Sequence, residues 1–186
     1  MNPNGNAAIL GIGWLNGSAY GCVRTRRIFP HMGLDHLDGI WKGCAASLPK
    51  NYARFDKPSR STCGAILLAL QDAGIQWDPS RKQDIGMISS NLQGCWQANH
   101  NYFSDYVHSG RVIGRGNLFI YTLPSSPIAE AAVCFGFRGP SYYVTRRTRV
   151  LSLCLSQAAH IVEHRMAPAM LAVASDDTHA VCLVVS

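Results

Sequence analysis

His160, Glu163 and His164 stand in the pattern HxxEH, which is that of one class of zinc metalloprotease. On a helix, histidines four residues apart share a face, and the glutamate beside them can serve as general base. A catalytic zinc needs a third protein ligand, and Asp176, Asp177 and His179 are the acidic or imidazole groups that come after them in the chain. They lie beyond a predicted strand and at no spacing known for such sites. The plainer reading is a polar, solvent-facing end on an otherwise apolar helix. No GxSxG occurs, so nothing points to a serine nucleophile on an elbow. Yet "GPSYYVTRRTRVLSL" (139–153) has the punctuation of a strand turning sharply into a helix. At that turn stands Thr148, among Arg146, Arg147 and Arg149. A hydroxyl is scarcely ionised at neutral pH without a positioned base, so Thr148 is a poor nucleophile. The arginines would activate a thiol, but Cys154 lies six residues on, inside an apolar helix. They also oppose the helix dipole, by roughly 0.3 to 1 kcal/mol each, so an acidic neighbour from this chain or another would offset them.

The elements that position these residues follow from periodicity. "AAILGIGWL" (7–15) reads as a buried strand. Its Gly11 and Gly13, with Gly17, approximate a dinucleotide fingerprint, but the third glycine is one residue late and no helical pattern follows directly. Glycine turns at a strand end account for them. Residues 16–58 show no clear period and are expected to be irregular, with one short element at most. Cys63, Ile66, Leu67 and Leu70 then recur at helical spacing; Ser61 or Thr62 is expected to cap that helix and Gly74 to end it. A strand at 84–90, a helix at 92–110, a helix at 126–139, a strand at 141–145, a helix at 149–165 and two strands, "AMLAVAS" and "AVCLVVS", complete the chain. Strands alternating with helices argue an α/β layered sheet. The helix "VLSLCLSQAAHIV" is apolar or small nearly all round, and is expected to be buried on every side, as a layer between two sheets would be.

Composition sets the frame. A chain of 186 residues fits one domain, and it can bury roughly 70% of the surface its unfolded form exposes. Seven scattered cysteines with no CxxC pair suggest reduced thiols and a cytoplasmic protein, the N-terminus is a poor signal peptide, and no stretch approaches the length of a membrane span. The net charge of +6 would suit an acidic partner, but the basic residues are dispersed except at 24–27 and 146–149. No nucleic-acid motif accompanies them. Two readings stay open on charge and motif alone: a basic nucleic-acid-binding module, and an autonomous metal-dependent hydrolase at His160, Glu163 and His164. No cofactor is expected.

Taken in order, the segments resemble the β-ketoacyl synthases, which sets a third reading above those two. "FDKPSRSTCGAILLALQDAGI" (55–75) is similar to their early helix, and "GMISSNLQGCWQANHNYFSDY" (86–106) to the strand and helix that begin their acyl pocket. "LPSSPIAEAAVCFGFRGPSYYV" (123–144) is similar to the segment that precedes their nucleophile, and "AMLAVASDD" (169–177) to the strand after it. The resemblance implies an α/β, thiolase-like fold, N-terminal half only, with one mixed five-stranded sheet and helices on both faces. It places the reactive cysteine of the family at Thr148, so the position is vacated and the chain carries no catalytic residue. It further implies a non-catalytic subunit like the chain-length factors of type II polyketide systems, most similar to the short ones of aryl polyene clusters. Such a subunit pairs with an active ketosynthase as a heterodimer, meets an acyl carrier protein transiently, and closes the acyl tunnel. Nucleic acid and membrane are not expected as partners. Leu92, Trp96, Asn99 and Phe103 are the tunnel candidates, and Arg146, Arg147 and Arg149 the interface candidates.

Overall fold

The computed structural model describes residues 6–30, 37–44, 48–91, 93–146 and 148–186. Seven strands form one sheet: β1 (Ile9–Leu15), β2 (Ala19–Cys22), β3 (Arg27–Pro30), β4 (Ile85–Ser90), β5 (Ser141–Tyr143), β6 (Ala169–Ser175) and β7 (Ala180–Val185). Their spatial order is β3-β2-β1-β7-β6-β4-β5, with β4 parallel to both β5 and β6 and every other pair antiparallel. The helices are α1 (Asp38–Cys44), α2 (Lys57–Ala73), α3 (Trp96–His108), α4 (Gly116–Phe119), α5 (Ser126–Phe135) and α6 (Val150–Glu163). Two buried clusters sit on opposite faces of the sheet, one gathered around α1, α2 and α5 and the other beneath α6. Among the described residues no single helix is long and apolar enough to cross a membrane.

The central contact is α2 on β1, and two glycines permit it. A Cβ on Gly11 would collide with the backbone of Ala69 and Ala73, and one on Gly13 with that of Ala65 and Ala69. Their apparent nucleotide signature is therefore a packing groove, in which helix backbone lies directly on strand backbone. Helix α2 begins at Lys57, because Asp56 rather than Ser61 or Thr62 caps it, accepting from Ser59 N at 3.0 Å. Ser61 and Thr62 are buried inside the helix instead, and Thr62 Oγ1 donates to Ser175 Oγ at 2.8 Å. Gly74 ends it in the left-handed conformation, φ 69°, as expected.

The sheet has seven strands, not five. The extra pair is the hairpin β2–β3 in a stretch expected to be irregular, and a distant residue holds its turn. The buried Asp72, on α2, accepts from Ile12 N (2.9 Å) and Arg24 N (3.0 Å) through Oδ2, and from Thr25 N (2.8 Å) and Thr25 Oγ1 (3.0 Å) through Oδ1. Helix α6 also departs from expectation. Cys154, Ala158 and Ile161 face the sheet and are buried, whereas Ser152, Ser156, Gln157, His160 and Glu163 are exposed. Small and polar residues that look neutral in the sequence fall on one outward stripe, so this helix is amphipathic rather than buried all round.

Candidate functional site

After strand β5, Val144 N donates to Ser89 O at 2.9 Å, and α6 begins at Val150 with Arg149 at its N-cap. The elbow predicted from sequence is present. Its left-handed residue is Arg149, φ 53° and ψ 41°, which occupies the N-cap position of α6. For a non-glycine residue that conformation costs roughly 1 to 2 kcal/mol. Arg149 O accepts from Ser152 Oγ at 2.9 Å, which ties the turn to the helix. Thr148, Arg146 and Arg149 are all exposed, and neither arginine makes an ion pair with an acidic group among the described residues. Arg147 lies outside the described residues. Burial pushes the Cys154 thiol up to about 11, and it pushes Cys63 and Cys182 well above the ordinary thiol range. Neutral, buried thiols pack as small apolar groups.

The histidine pair occupies the exposed C-terminal end of α6. The His160 and His164 rings lie 4.0 Å apart by centroid, and His164 Nδ1 is 2.8 Å from His160 O. Glu163 accepts from Ala7 N at 3.5 Å. Asp176, one of the possible third ligands, is turned into the β6–β7 connection, where it accepts from Thr178 N and His179 N, each at 2.7 Å. Among the described residues no group of three histidine, cysteine or acidic side chains is placed to hold a metal ion. The HxxEH pattern thus has two imidazoles on one helix end and no converging third donor.

Three of the four tunnel candidates lie on α3, and Leu92 lies outside the described residues. No residue of α3 is buried. Trp96 and Phe103 are 71% and 62% exposed, so neither is core. Asn99 acts instead as a clasp. Its Nδ2 donates to Cys95 O (2.9 Å) and Thr122 O (3.2 Å), which joins α3 to the turn at 120–122. The surface beside this helix continues apolar, with Val112, Ile113, Phe119, Ile120 and Leu123 exposed. Trp96 also borders a groove of about 640 Å³, whose other walls come from the starts of α2 and α5 and from the segments that follow β4 and β6. Asn99 and Phe103 do not line it. The groove was not legible in the sequence, because its residues come from five separated segments that only the fold brings together. Asp56 lies in its wall; burial raises its carboxyl above the usual range, and the charges of Asp177 and Glu130 add to this against the hydrogen bonds from Ser59.

The sheet order, the helices on both faces and the elbow define a thiolase-like α/β fold at reduced length. No family model matches the sequence, and no curated protein matches it. Solved structures do match, among them β-ketoacyl synthases and ketosynthase/chain length factor complexes. Against a β-ketoacyl synthase from Burkholderia phymatum STM815 the TM-score is 0.67 at 14% identity, covering 97% of this chain and 59% of that one. Against the ishigamide ketosynthase/chain length factor it is 0.70 at 11% identity, covering 97% and 62%. Against a chain of the complex between the ketosynthase ApeO and its chain length factor ApeC, from Xenorhabdus doucetiae, it is 0.63 at 11% identity, covering 97% and 79%. The chain therefore spans about 60% of the length of the first two. At such identities the likeness is one of fold.

Proposed function

We propose that this chain is a non-catalytic, chain-length-factor-like subunit that pairs with an active ketosynthase and closes the far end of its acyl tunnel. The observation that carries the reading is the elbow: strand, left-handed turn and helix are retained, while Thr148 occupies the position where the resemblance places the reactive cysteine. An exposed hydroxyl flanked by arginines offers no nucleophile for acyl transfer. The exposed apolar side chains of α3 and of residues 112–123 support the pairing, since a surface of this kind marks an interaction site. Because α6 presents a polar stripe to solvent, that apolar surface is a better candidate for the main contact than α6 itself. Arg146, Arg147 and Arg149 are then candidates for the rim, where charge steers encounter more than it adds affinity. Trp96 is the tunnel candidate of choice, being exposed, aromatic and at the lip of the groove.

Co-expression with a ketosynthase encoded beside it tests the pairing: the two are expected to copurify one to one by sizing, and a well-behaved monomer that ignores ketosynthases refutes it. In the complex, Trp96→Ala is expected to lengthen products without abolishing condensation. Unchanged product length with normal assembly refutes the tunnel role.

A further inference from the structure

The proposed function leaves the HxxEH pattern unused, and the structure places it on the outward stripe of α6. His160 and His164 are both exposed there, with ring centroids 4.0 Å apart. One hydrogen bond orients the pair. A carbonyl oxygen can only accept, so the 2.8 Å contact between His164 Nδ1 and His160 O is made by an Nδ1–H donor. The neutral His164 ring therefore carries its lone pair on Nε2. A backbone carbonyl fixes the tautomer of metal-binding histidines in the same way. The His160 ring makes no hydrogen bond among the described residues, so either of its nitrogens is open.

The spacing suits a chelate. Two metal–nitrogen bonds of about 2.0 to 2.1 Å at a right angle put imidazole centroids about 4.5 Å apart. Exposed side chains reach that separation by a small outward turn of either ring. The surroundings favour a cation. The pair occupies the last turn of α6, at the negative end of the helix dipole, and the carboxylate of Glu163 is exposed next to it in the chain. Arg165, exposed just past the helix, is the opposing charge. Imidazole suits the late first-row metals, whereas Mg²⁺ and Ca²⁺ take oxygen ligands.

We propose that His160 and His164 form a two-point chelate for a late first-row divalent cation such as Ni²⁺, Cu²⁺ or Zn²⁺, with water in the remaining coordination positions. It is a binding site and not the catalytic zinc centre that HxxEH suggests, because among the described residues no third protein donor converges on it. It is also independent of pairing with a ketosynthase, since it uses none of the apolar side chains assigned to that contact. Equilibrium dialysis of the full chain against Ni²⁺, with Mg²⁺ in parallel and no imidazole in the buffer, tests it. Ni²⁺ is expected to bind and Mg²⁺ is not. His160→Gln and His164→Gln keep the helix and remove one nitrogen each at exposed positions. Each is expected to weaken binding tenfold or more with unchanged circular dichroism, because the second nitrogen of a chelate acts at high effective concentration. Saturating Ni²⁺ is expected to raise the Tm of the natural chain and to leave that of the double variant unmoved. Equal Ni²⁺ binding by the natural chain and the double variant would put the metal elsewhere. Single variants that keep the natural affinity at half the stoichiometry would show two independent imidazoles. Either result, Mg²⁺ bound as tightly as Ni²⁺, or no Ni²⁺ bound up to about 1 mM overturns the proposal.

Discussion

Asp72→Asn isolates the contact that fastens the N-terminal hairpin to the rest of the molecule. The carboxylate accepts three backbone amides and one hydroxyl, two donors on each oxygen. An asparagine can offer its oxygen to only one of these pairs. In the less costly orientation the oxygen meets Ile12 N and Arg24 N, and the amide nitrogen faces Thr25, whose hydroxyl can rotate to accept but whose N–H is orphaned. One buried unsatisfied amide costs about 1 to 3 kcal/mol, and the surviving bonds lose the strength that the charge gave them. The expected loss is therefore about 2 to 4 kcal/mol, a large part of the 5 to 15 typical of a domain. The pH dependence is a second signature. Burial by itself would raise the Asp72 carboxyl, but the hydrogen bonds from Ile12, Arg24 and Thr25 outweigh it and hold the group below the usual carboxylate range. Its stabilising effect is thus complete above the unfolded value, about 3.9, and disappears as the pH falls through the lower folded value. Urea unfolding of both proteins at pH 7 and near pH 3 gives the comparison, with the slope against urea checked for constancy. A difference under about 0.5 kcal/mol at pH 7, or one that is no smaller at pH 3, would refute this account of the hairpin.

The remaining expectations concern packing, capping and the elbow. Gly13→Ala must push α2 off β1 by backbone contact, and a loss of roughly 3 kcal/mol or more, or no soluble protein, is expected in the same unfolding assay. Asp56→Asn keeps a good N-cap while removing a carboxylate whose charged form burial disfavours. The variant is expected to be at least as stable as the natural chain at pH 7, and to lose that advantage as the pH falls through the raised folded value, so that below the unfolded value near 3.9 the natural side chain is neutral in both states. Thr148→Cys places a thiol at the entrance to α6 between arginines. Its alkylation by iodoacetamide, followed by mass spectrometry across pH, is expected to report a pKa below the ordinary 8.5 or so. A value at or above that would show that the elbow no longer activates what it presents.

Local chemistry made the second half of the chain legible. Helical and alternating periodicities between 126 and 186 placed α5, β5, α6, β6 and β7 to within a few residues, because each is a short element with its own punctuation. The resemblance to ketosynthases was carried by the order of such elements, and the structural matches bear out the fold. What failed depended on partners far away in the chain. The hairpin β2–β3 has little period of its own; its turn is made by a carboxylate about fifty residues downstream. The glycines of β1 read as turns at a strand end, and only the position of α2 shows that they open a groove for helix backbone. In α6, serine and glutamine read as merely small or neutral, and only the direction of the sheet showed which stripe faces out.

The candidate site divides along the same line. That Thr148 stands on an elbow among arginines was determined by sequence alone, since a strand, a turn and a helix are adjacent in the chain. That Trp96 and Phe103 lie on an exposed apolar face, and that Asn99 is a clasp rather than a lining residue, was decided by tertiary structure. The groove itself was decided the same way. Its walls start at the ends of two strands and three helices, and a sequence read along one dimension cannot say which ends the parallel pairing of β4 and β6 will bring to one side.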